Sequence, residues 1–287
     1  GGLGTGYSYT IGTGGSSVVA LLADHLLPRL IGREAGEIEA IWTDLKFHTH
    51  ATTVGAITSL ALAAIDTALW DLRALRAALP LHLLAGGART RIPAYTTEGG
   101  WLQLSEEDLE VMVDCNQSFA VDEAIRRAHA LSVFDIAWME EPLPADDLDG
   151  HIRLAASTPV PVAVGESIYG VRHFREYMQQ RACSVIQVDC ARVGGITPWL
   201  KTAHLAEAFN MAVAPHFLME LHVSLACAVP NGRWVEYIPQ LDEITTSRLR
   251  IEKGEALAPV EPGLGIGWDW SAIRARSEII HAVRKAA

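Results

Sequence analysis

Three acidic residues follow short apolar stretches at equal intervals and could together bind a cation. They are Asp114 in VMVDCNQ, Glu140 in AWMEEP and Glu166 in VAVGES, separated by 26 and 26 residues. An apolar run that ends in a polar residue is typical of a buried barrel strand, which delivers that side chain to its open end. Three carboxylates at one end would supply the oxygen ligands that Mg²⁺ prefers. Alternatively, each acid caps the following helix or pairs with a neighbouring cation.

The series continues with Asp189 in VIQVDC, His216 in AVAPHF and Glu236 in RWVEY, at intervals of 23, 27 and 20 residues (166 to 189 to 216 to 236). A carboxylate bonded to one imidazole nitrogen fixes the tautomer and raises the basicity of the other nitrogen, so Asp189 and His216 could form a general base. Glu236, if protonated in a partly apolar site, could donate a hydrogen bond to a developing oxyanion. The alternatives are a structural histidine and an ordinary acid at a helix start.

Together these groups suit removal of a weakly acidic proton next to a carboxylate. A divalent metal would neutralise the charge of the enediolate, and Glu236 would support the same oxygens. His216 would take or return the proton. The predicted reaction class is therefore carbon-acid chemistry.

The intervals between these residues predict the elements that position them. About 25 residues accommodate one strand, one helix and two loops, which indicates an α/β barrel over residues 91–246. Residues 1–90 are expected to form a first region, in which glycine-rich residues 1–15 are the tail of a small antiparallel sheet. Helices are predicted over 18–27, ended by Pro28, and over 34–47 and 54–79. Residues 247–287 are predicted to return through a hairpin to a final helix.

One interval does not fit this barrel. Only 19 residues separate Tyr95, near the end of the first strand, from Asp114. A parallel crossover needs a strand, a helix and two loops, and the later units use about 25 residues for them. We therefore expect that one βα unit is missing at Glu110/Val111, and that the start of the first region is missing as well.

Composition narrows the classes of partner. Hydrophobic residues make up 49% of the 287, and the net charge is −11 (23 basic against 34 acidic residues). Without a cluster of Lys and Arg interleaved with aromatics, a nucleic-acid partner is not expected. The longest apolar region, 54–65, is too short to span a membrane. Four cysteines without CxxC spacing, and no signal-peptide pattern, favour reduced thiols and a cytoplasmic location.

The ordered motifs resemble one family over nearly the whole chain. VDCNQ, WMEEP, VGES, VDCARVGG, APH and WVEY, together with SLALAAIDTALWDL and PLHLLAGGA before them, are similar to the enolase superfamily, and the His/Asp pair to its mandelate racemase subgroup. The resemblance implies an α+β capping domain on a modified (β/α)7β TIM barrel and a homo-oligomer in the cytoplasm. It also implies Mg²⁺ on Asp114, Glu140 and Glu166, a dyad of Asp189 and His216, and Glu236 as electrophilic helper.

The chain departs from the subgroup at the second strand, where members usually carry a Lys-x-Lys or related base. No KxK occurs here, and none of the four lysines (Lys46, Lys201, Lys253, Lys285) is expected near a strand end. This departure leaves the identity of one of two opposed bases open.

Within the subgroup, DCARVGGITPWLK and APHFLMELH resemble acid sugar dehydratases more than racemases. The expected function is a Mg²⁺-dependent aldonate or aldarate dehydratase, acting on a small-molecule carboxylate. His216 would protonate the departing hydroxyl, with the absent lysine as base, or would itself take the α-proton. A racemase or epimerase is the first alternative, and a catalytically inactive metal-binding barrel is the alternative of another class.

Overall fold

The protein is described by a computed structural model that covers residues 2–52, 55–97 and 111–277. Helices and short parallel strands alternate through most of the chain. The helices are α1 Gly15–Leu21, α2 Leu27–Leu30, α3 Ile38–His48, α4 Ala56–Ala77, α5 Leu81–Leu84, α6 Val121–Leu131, α7 Leu148–Ser157, α8 Val171–Gln179, α9 Cys190–Val193, α10 Ile196–Ala208, α11 Met219–Ala228 and α12 Trp270–Arg276. The strands are β1 Arg91–Thr96, β2 Met112–Asp114, β3 Trp138–Glu140, β4 Val162–Val164, β5 Val185–Ile186, β6 Ala212–Val213, β7 Val235–Tyr237, β8 Ile251–Glu252 and β9 Glu255–Leu257.

The parallel strands form a barrel that is open at one seam. Strands β2 to β6 pair in sequence order, with Asp114 opposite Glu140 in the register. A bridge from Val213 to Gly232 leads on to β7, which pairs in parallel with β1. Within the described residues, β1 and β2 share no ladder, so the barrel does not close there. The predicted missing unit, at Glu110/Val111, borders this seam, and residues 98–110 lie outside the described residues.

Side chains on alternate strand positions fill the barrel interior. Trp138, Val185, Ala214 and Trp234 pack together in one layer. Because strand side chains alternate between faces, the residues two positions further along face the same way. These residues are Glu140, Gln187, His216 and Glu236. The alternation therefore carries four polar side chains to one level above an apolar layer.

The first helical segment differs from its prediction at Pro28. Helix α1 continues through a π-helical turn, Leu22–Leu26, into α2, so the chain stays helical to Leu30. Pro28 occupies an early position of α2, where the missing N–H costs little, so the proline does not end the helix. Ser16 and Ser17 lie inside α1, whose N-cap is Gly14.

The glycine-rich start of the chain packs against a helix, and the prediction of a strand there is wrong. None of residues 2–14 is in a strand. A Cβ built on Gly4 would lie 2.2 Å from the carbonyl oxygen of Ala68, and one on Gly6 would lie 2.0 Å from that of Ala64. Both glycines let this segment approach the backbone of α4 closely. The amide of Thr5 donates to Asp71 Oδ2 at 2.8 Å, which fixes the segment to a side chain of α4.

Helix α4 connects three parts of the molecule. Its Ala- and Leu-rich sequence favours helix, and much of it is buried. Asp71 Oδ1 accepts a hydrogen bond from the amide of Leu264, so the chain after β9 also lies against α4. Strand β9 itself pairs antiparallel with β1.

No helix among the described residues combines the length and the apolar character that crossing a membrane needs.

Candidate active site

The predicted dyad is formed at the ends of β5 and β6. His216 Nδ1 lies 2.9 Å from Asp189 Oδ2, and Asp189 is 1% exposed. The other oxygen, Oδ1, accepts from the amides of Ala191 and Arg192 at 2.7 and 3.0 Å, so Asp189 also caps α9. Burial raises the pKa of Asp189, but the hydrogen bond and charge of His216 outweigh burial and lower the pKa overall. The carboxylate is therefore held ionised in one orientation.

The second nitrogen of His216 faces a predicted metal ligand. Nε2 lies 3.0 Å from Glu166 Oε2, while Arg192 Nη1 lies 3.5 Å from Glu166 Oε1. Burial alone would lower the pKa of His216, but hydrogen bonds to Asp189 and Glu166 raise the pKa well above its usual value. Similarly, burial raises the pKa of Glu166, and the hydrogen bond and charge of His216 lower the pKa overall. Each imidazole nitrogen of His216 thus faces a carboxylate oxygen.

A glycine determines how β4 delivers Glu166. A Cβ built on Gly165 would lie 2.3 Å from the carbonyl carbon of Gln187, on the neighbouring strand end. No other residue fits between the two backbones at this distance. The chain turns directly after Gly165, so Glu166 stands at the strand end beside His216.

The other two predicted metal ligands occupy the ends of β2 and β3. Asp114 is exposed and accepts from the amide of Asn116 at 2.9 Å. Glu140 is 7% exposed and accepts from Trp138 Nε1 at 3.1 Å. Burial, with the charges of Asp114 and Glu236, raises the pKa of Glu140 to about 7. Burial is also the main cause that raises the pKa of Asp114, and the charge of Glu166 adds to this effect.

The three carboxylates have the oxygen ligands that Mg²⁺ prefers, but their side chains do not converge on one point in the structure. Among the described residues, no group of three or more His, Cys, Asp or Glu side chains could hold a metal ion. The oxygens of Glu166 point to His216 and Arg192, which separates Glu166 from the other two. The donor set is nevertheless all oxygen, on three neighbouring strand ends. Burial, with a smaller contribution from neighbouring carboxylates, raises the pKa of Asp114 and Glu140. A divalent cation would stabilise their ionised forms, so the residues fit the ion.

Glu236 is the middle residue of β7. It is 6% exposed, and Oε2 accepts from the amide of Phe217, the residue after His216. Burial raises the pKa of Glu236 above its usual value, with His216 opposing. The direction agrees with the predicted role as a proton-carrying donor, although that role remains a prediction.

Glu141 points away from its neighbour Glu140 and braces two loops. It is 2% exposed and accepts from Gln117 Nε2 at 3.0 Å and from the amide of Ser167 at 3.2 Å. These contacts tie the loop after β2 to the loop after β4.

Two residues without a predicted role complete the site. Tyr9, from the first segment of the chain, donates through its hydroxyl to Asp189 Oδ2 at 2.6 Å. Arg192 Nε donates to the same hydroxyl at 3.0 Å, and its Nη1 reaches Glu166. Arg192 could have been found, because it follows Asp189 by three residues at a helix start. Tyr9 lies 180 positions from Asp189, and no local pattern signals that contact.

His222 on α11 joins the two loops that carry the dyad. Its Nδ1 lies 2.6 Å from the carbonyl oxygen of Phe217, and its Nε2 accepts from the amide of Cys190 at 3.1 Å. This pattern requires the neutral ring with its proton on Nδ1. Burial lowers the pKa of His222 to about 4, which agrees with a neutral ring. The residues that follow Asp189 and His216 are thereby held together.

Two family profiles match consecutive parts of the chain. The mandelate racemase/muconate lactonizing enzyme N-terminal domain matches residues 1–86, and the enolase C-terminal domain-like family matches residues 103–272. Among curated relatives, L-talarate/galactarate dehydratase of Salmonella typhimurium is 31% identical, over 91% of this chain and 76% of that protein. That alignment runs over 304 positions, whereas 91% of 287 residues is about 261, so about 43 positions have no counterpart here.

Solved structures of dehydratases and racemases are also similar to this chain. The crystal structure of L-talarate dehydratase from Polaromonas sp. JS666, complexed with Mg and L-glucarate, is similar at a TM-score of 0.86 and 32% identity, covering 94% of this chain and 87% of that one. A racemase from Streptomyces coelicolor A3(2) with bound magnesium is similar at a TM-score of 0.89 and 29% identity, covering 96% and 88%. The chain belongs to the enolase superfamily, in its mandelate racemase subgroup, and the predicted capping-domain and barrel architecture is confirmed.

Proposed function

We propose that the protein is a Mg²⁺-dependent hydro-lyase that converts an acid sugar, an aldonate or aldarate, into a 2-keto acid. The observation that carries the proposal is the contact of Asp189 with His216 at the barrel mouth, beside three acidic strand ends. Similarity to a talarate/galactarate dehydratase and to a dehydratase crystallised with Mg and L-glucarate supports the choice of substrate class. The cytoplasmic location and the homo-oligomeric state predicted from the sequence stay predictions.

The reaction removes the proton α to the substrate carboxylate and expels the β-hydroxyl as water, and the resulting enol becomes the 2-keto acid. Asp189 orients His216 through Nδ1, so that Nε2 can hold or receive a proton at the mouth of the barrel. His216 then either protonates the departing hydroxyl or removes the α-proton itself. Glu236, with its raised pKa, can donate a hydrogen bond to the oxyanion that develops.

Asp114, Glu140 and Glu166 would hold the magnesium ion. When bound, Mg²⁺ supplies a positive charge that stabilises the negative charge developing on the substrate carboxylate. The oxygens of Glu166 now face His216 and Arg192, and the ion would compete with these two side chains for them.

The first test is a panel of aldonates and aldarates, incubated with the protein and Mg²⁺ and assayed for 2-keto acid. We expect product from one or a few of these acids, and no product after chelation of the metal and dialysis. Failure of every acid in the panel, at a protein concentration that detects a single turnover, would contradict the proposal.

A racemase or epimerase is the alternative favoured by the similarity to a racemase that binds magnesium. A racemase needs a base on each face of the α-carbon, whereas a dehydratase needs a base and an acid. Deuterium incorporated from D₂O into recovered substrate, without keto acid, would favour racemisation.

A metal-binding barrel without catalysis is the alternative favoured by the open seam between β1 and β2. We infer that one βα unit, with the strand that carries a lysine base in this subgroup, is missing near residues 110 and 111. The number of positions without counterpart, about 43, is enough for one βα unit of about 25 residues.

None of the three lysines among the described residues replaces that base. Lys46 lies on α3, and Lys253 lies between β8 and β9. Lys201 lies on α10 and pairs with Glu39 at 2.7 Å. Sequencing the gene across the codons for 110 and 111, with an intact mass to compare with 31.1 kDa, tests the missing unit. An additional unit with a strand-end base would support the enzyme, and an unchanged sequence would support the inactive barrel.

A further inference from the structure

Five side chains form a closed ring of polar contacts around the dyad. Asp189 contacts His216, His216 contacts Glu166, Glu166 contacts Arg192, and Arg192 contacts Tyr9, whose hydroxyl returns to Asp189. Four of these residues come from the barrel strand ends and the helix that follows β5. Tyr9 alone comes from residues 2–14 before α1, which we call the capping segment. Its hydroxyl is therefore the one member of the ring that the first domain supplies.

The hydroxyl of Tyr9 is fully used. It donates to Asp189 Oδ2 at 2.6 Å, the oxygen that also faces His216 Nδ1, and it accepts from Arg192 Nε at 3.0 Å. With the two α9 amides on Oδ1, Asp189 accepts four hydrogen bonds and has no freedom to rotate. The ring of Tyr9 packs on Phe217, with centroids 4.6 Å apart. Tyr9 thus touches both residues that flank the imidazole, Asp189 and Phe217.

We propose that Tyr9 is a positioning residue, whose hydroxyl aligns Asp189 with His216 and holds Arg192 against Glu166, so that correct seating of the capping segment is required for an ordered site. The inference deepens the proposed function and rests on it for its kinetic part. Tyr9 does not exchange a proton in this scheme. Burial, followed by the charge of Asp189, raises the pKa of Tyr9 above its usual value, which keeps the hydroxyl a donor.

Tyr9→Phe isolates this role, because it removes the hydroxyl and keeps the ring that packs on Phe217. Loss of a hydrogen-bonding partner behind a site residue lowers activity by about 10–100-fold. We expect kcat to fall by this factor with KM nearly unchanged, since the lost interaction orients the catalytic groups and does not bind substrate. The kinetic isotope effect of α-deuterated substrate should rise, because proton transfer becomes slower.

A second readout does not need turnover. In protein labelled with ¹⁵N-histidine, the Nδ1 proton of His216 reports its hydrogen bond to Asp189. We expect this resonance to shift or broaden in Tyr9→Phe. If the parent protein shows no turnover with any acid sugar, the proposed function fails while this measurement still decides the role of Tyr9.

Tyr7→Phe is the matched control. Tyr7 lies two residues earlier, its buried hydroxyl has no partner within the described chain, and its ring packs edge-on against Trp268 at 5.3 Å. We expect this variant to keep the kinetics and the His216 resonance of the parent. Parent-like values for Tyr9→Phe in both readouts would overturn the proposal. Equal changes in the two variants would also overturn it, because they would indicate general loosening of the capping segment.

Discussion

Replacing His216 with Asn is expected to lower kcat/KM for acid sugar dehydration by about 10²–10⁴-fold, the usual contribution of a general acid or base. Asn keeps a polar group near Asp189 but has no group that exchanges protons near neutral pH. The variant should bind Mg²⁺ with affinity similar to the parent, because the predicted ligands are Asp114, Glu140 and Glu166. Steady-state kinetics and calorimetric titration with Mg²⁺ measure the two quantities separately.

His204→Asn is the control for this experiment. His204 lies on α10, is exposed and is 3.5 Å from Glu207, away from the strand ends. We expect parent-like kinetics from this variant. Activity retained by His216→Asn would reject the assigned role of His216. Loss of both activity and Mg²⁺ binding would show that His216 mainly maintains the position of Glu166.

The second large effect concerns stability and is centred on Asp66, which is buried in α4. Asp66 is 1% exposed, and its Oδ2 accepts from the amide of Thr197 at 2.8 Å, at the start of α10. The other oxygen, Oδ1, has no partner within the described chain. Gly195 makes this close approach possible, because a Cβ there would lie 2.4 Å from Asp66 Oδ2. Burial raises the pKa of Asp66 to about 7.

The direction of the pH dependence follows from this raised pKa. An unfolded Asp titrates near pH 4, so between about pH 4 and 7 the folded chain binds a proton that the unfolded chain has lost. The free energy of unfolding contributed by Asp66 is therefore complete below about pH 4 and falls as pH rises through 7. A difference of roughly three pKa units corresponds to a loss on the order of 4 kcal/mol.

Asp66→Asn should remove the pH-dependent part of the free energy of unfolding that Asp66 contributes. The amide oxygen can still accept from Thr197, and the side chain stays neutral at every pH. We expect the variant to gain stability relative to the parent as pH rises from 5 to 8, by several kcal/mol at the upper end. Urea unfolding of both proteins at a series of pH values measures the difference, which cancels the contributions of other buried acids.

Asp44→Asn is the control, because the pKa of Asp44 is shifted in the opposite direction to that of Asp66. Asp44 is on the surface, where its hydrogen bond with Arg29 lowers its pKa. Its contribution is lost as pH falls below about 4, so its difference from the parent should be constant between pH 5 and 8. A difference for Asp66→Asn that is also constant over this range would contradict the raised pKa of Asp66.

The amino-acid sequence alone determined which residues stand at the mouth of the barrel. Strand side chains alternate, and each βα unit has a nearly fixed length, so a polar residue at the end of an apolar run must appear at the same end of the sheet in every unit. Asp189, His216 and Glu236 could be placed by this rule. The same rule exposed the short interval before Asp114, which coincides with the open seam between β1 and β2.

Only the tertiary structure decided how these groups are paired. The sequence grouped Glu166 with Asp114 and Glu140, whereas the structure turns Glu166 to His216 and Arg192, because side-chain rotation depends on every neighbour in space. Pro28 was expected to end a helix, but its ring is tolerated in the first turn of α2, which continues the helical run from α1. Tyr9 reaches Asp189 across 180 positions, through the docking of one domain on another. No repeating pattern in the sequence signals such contacts, because they depend on how whole elements pack and not on the spacing of residues within one element.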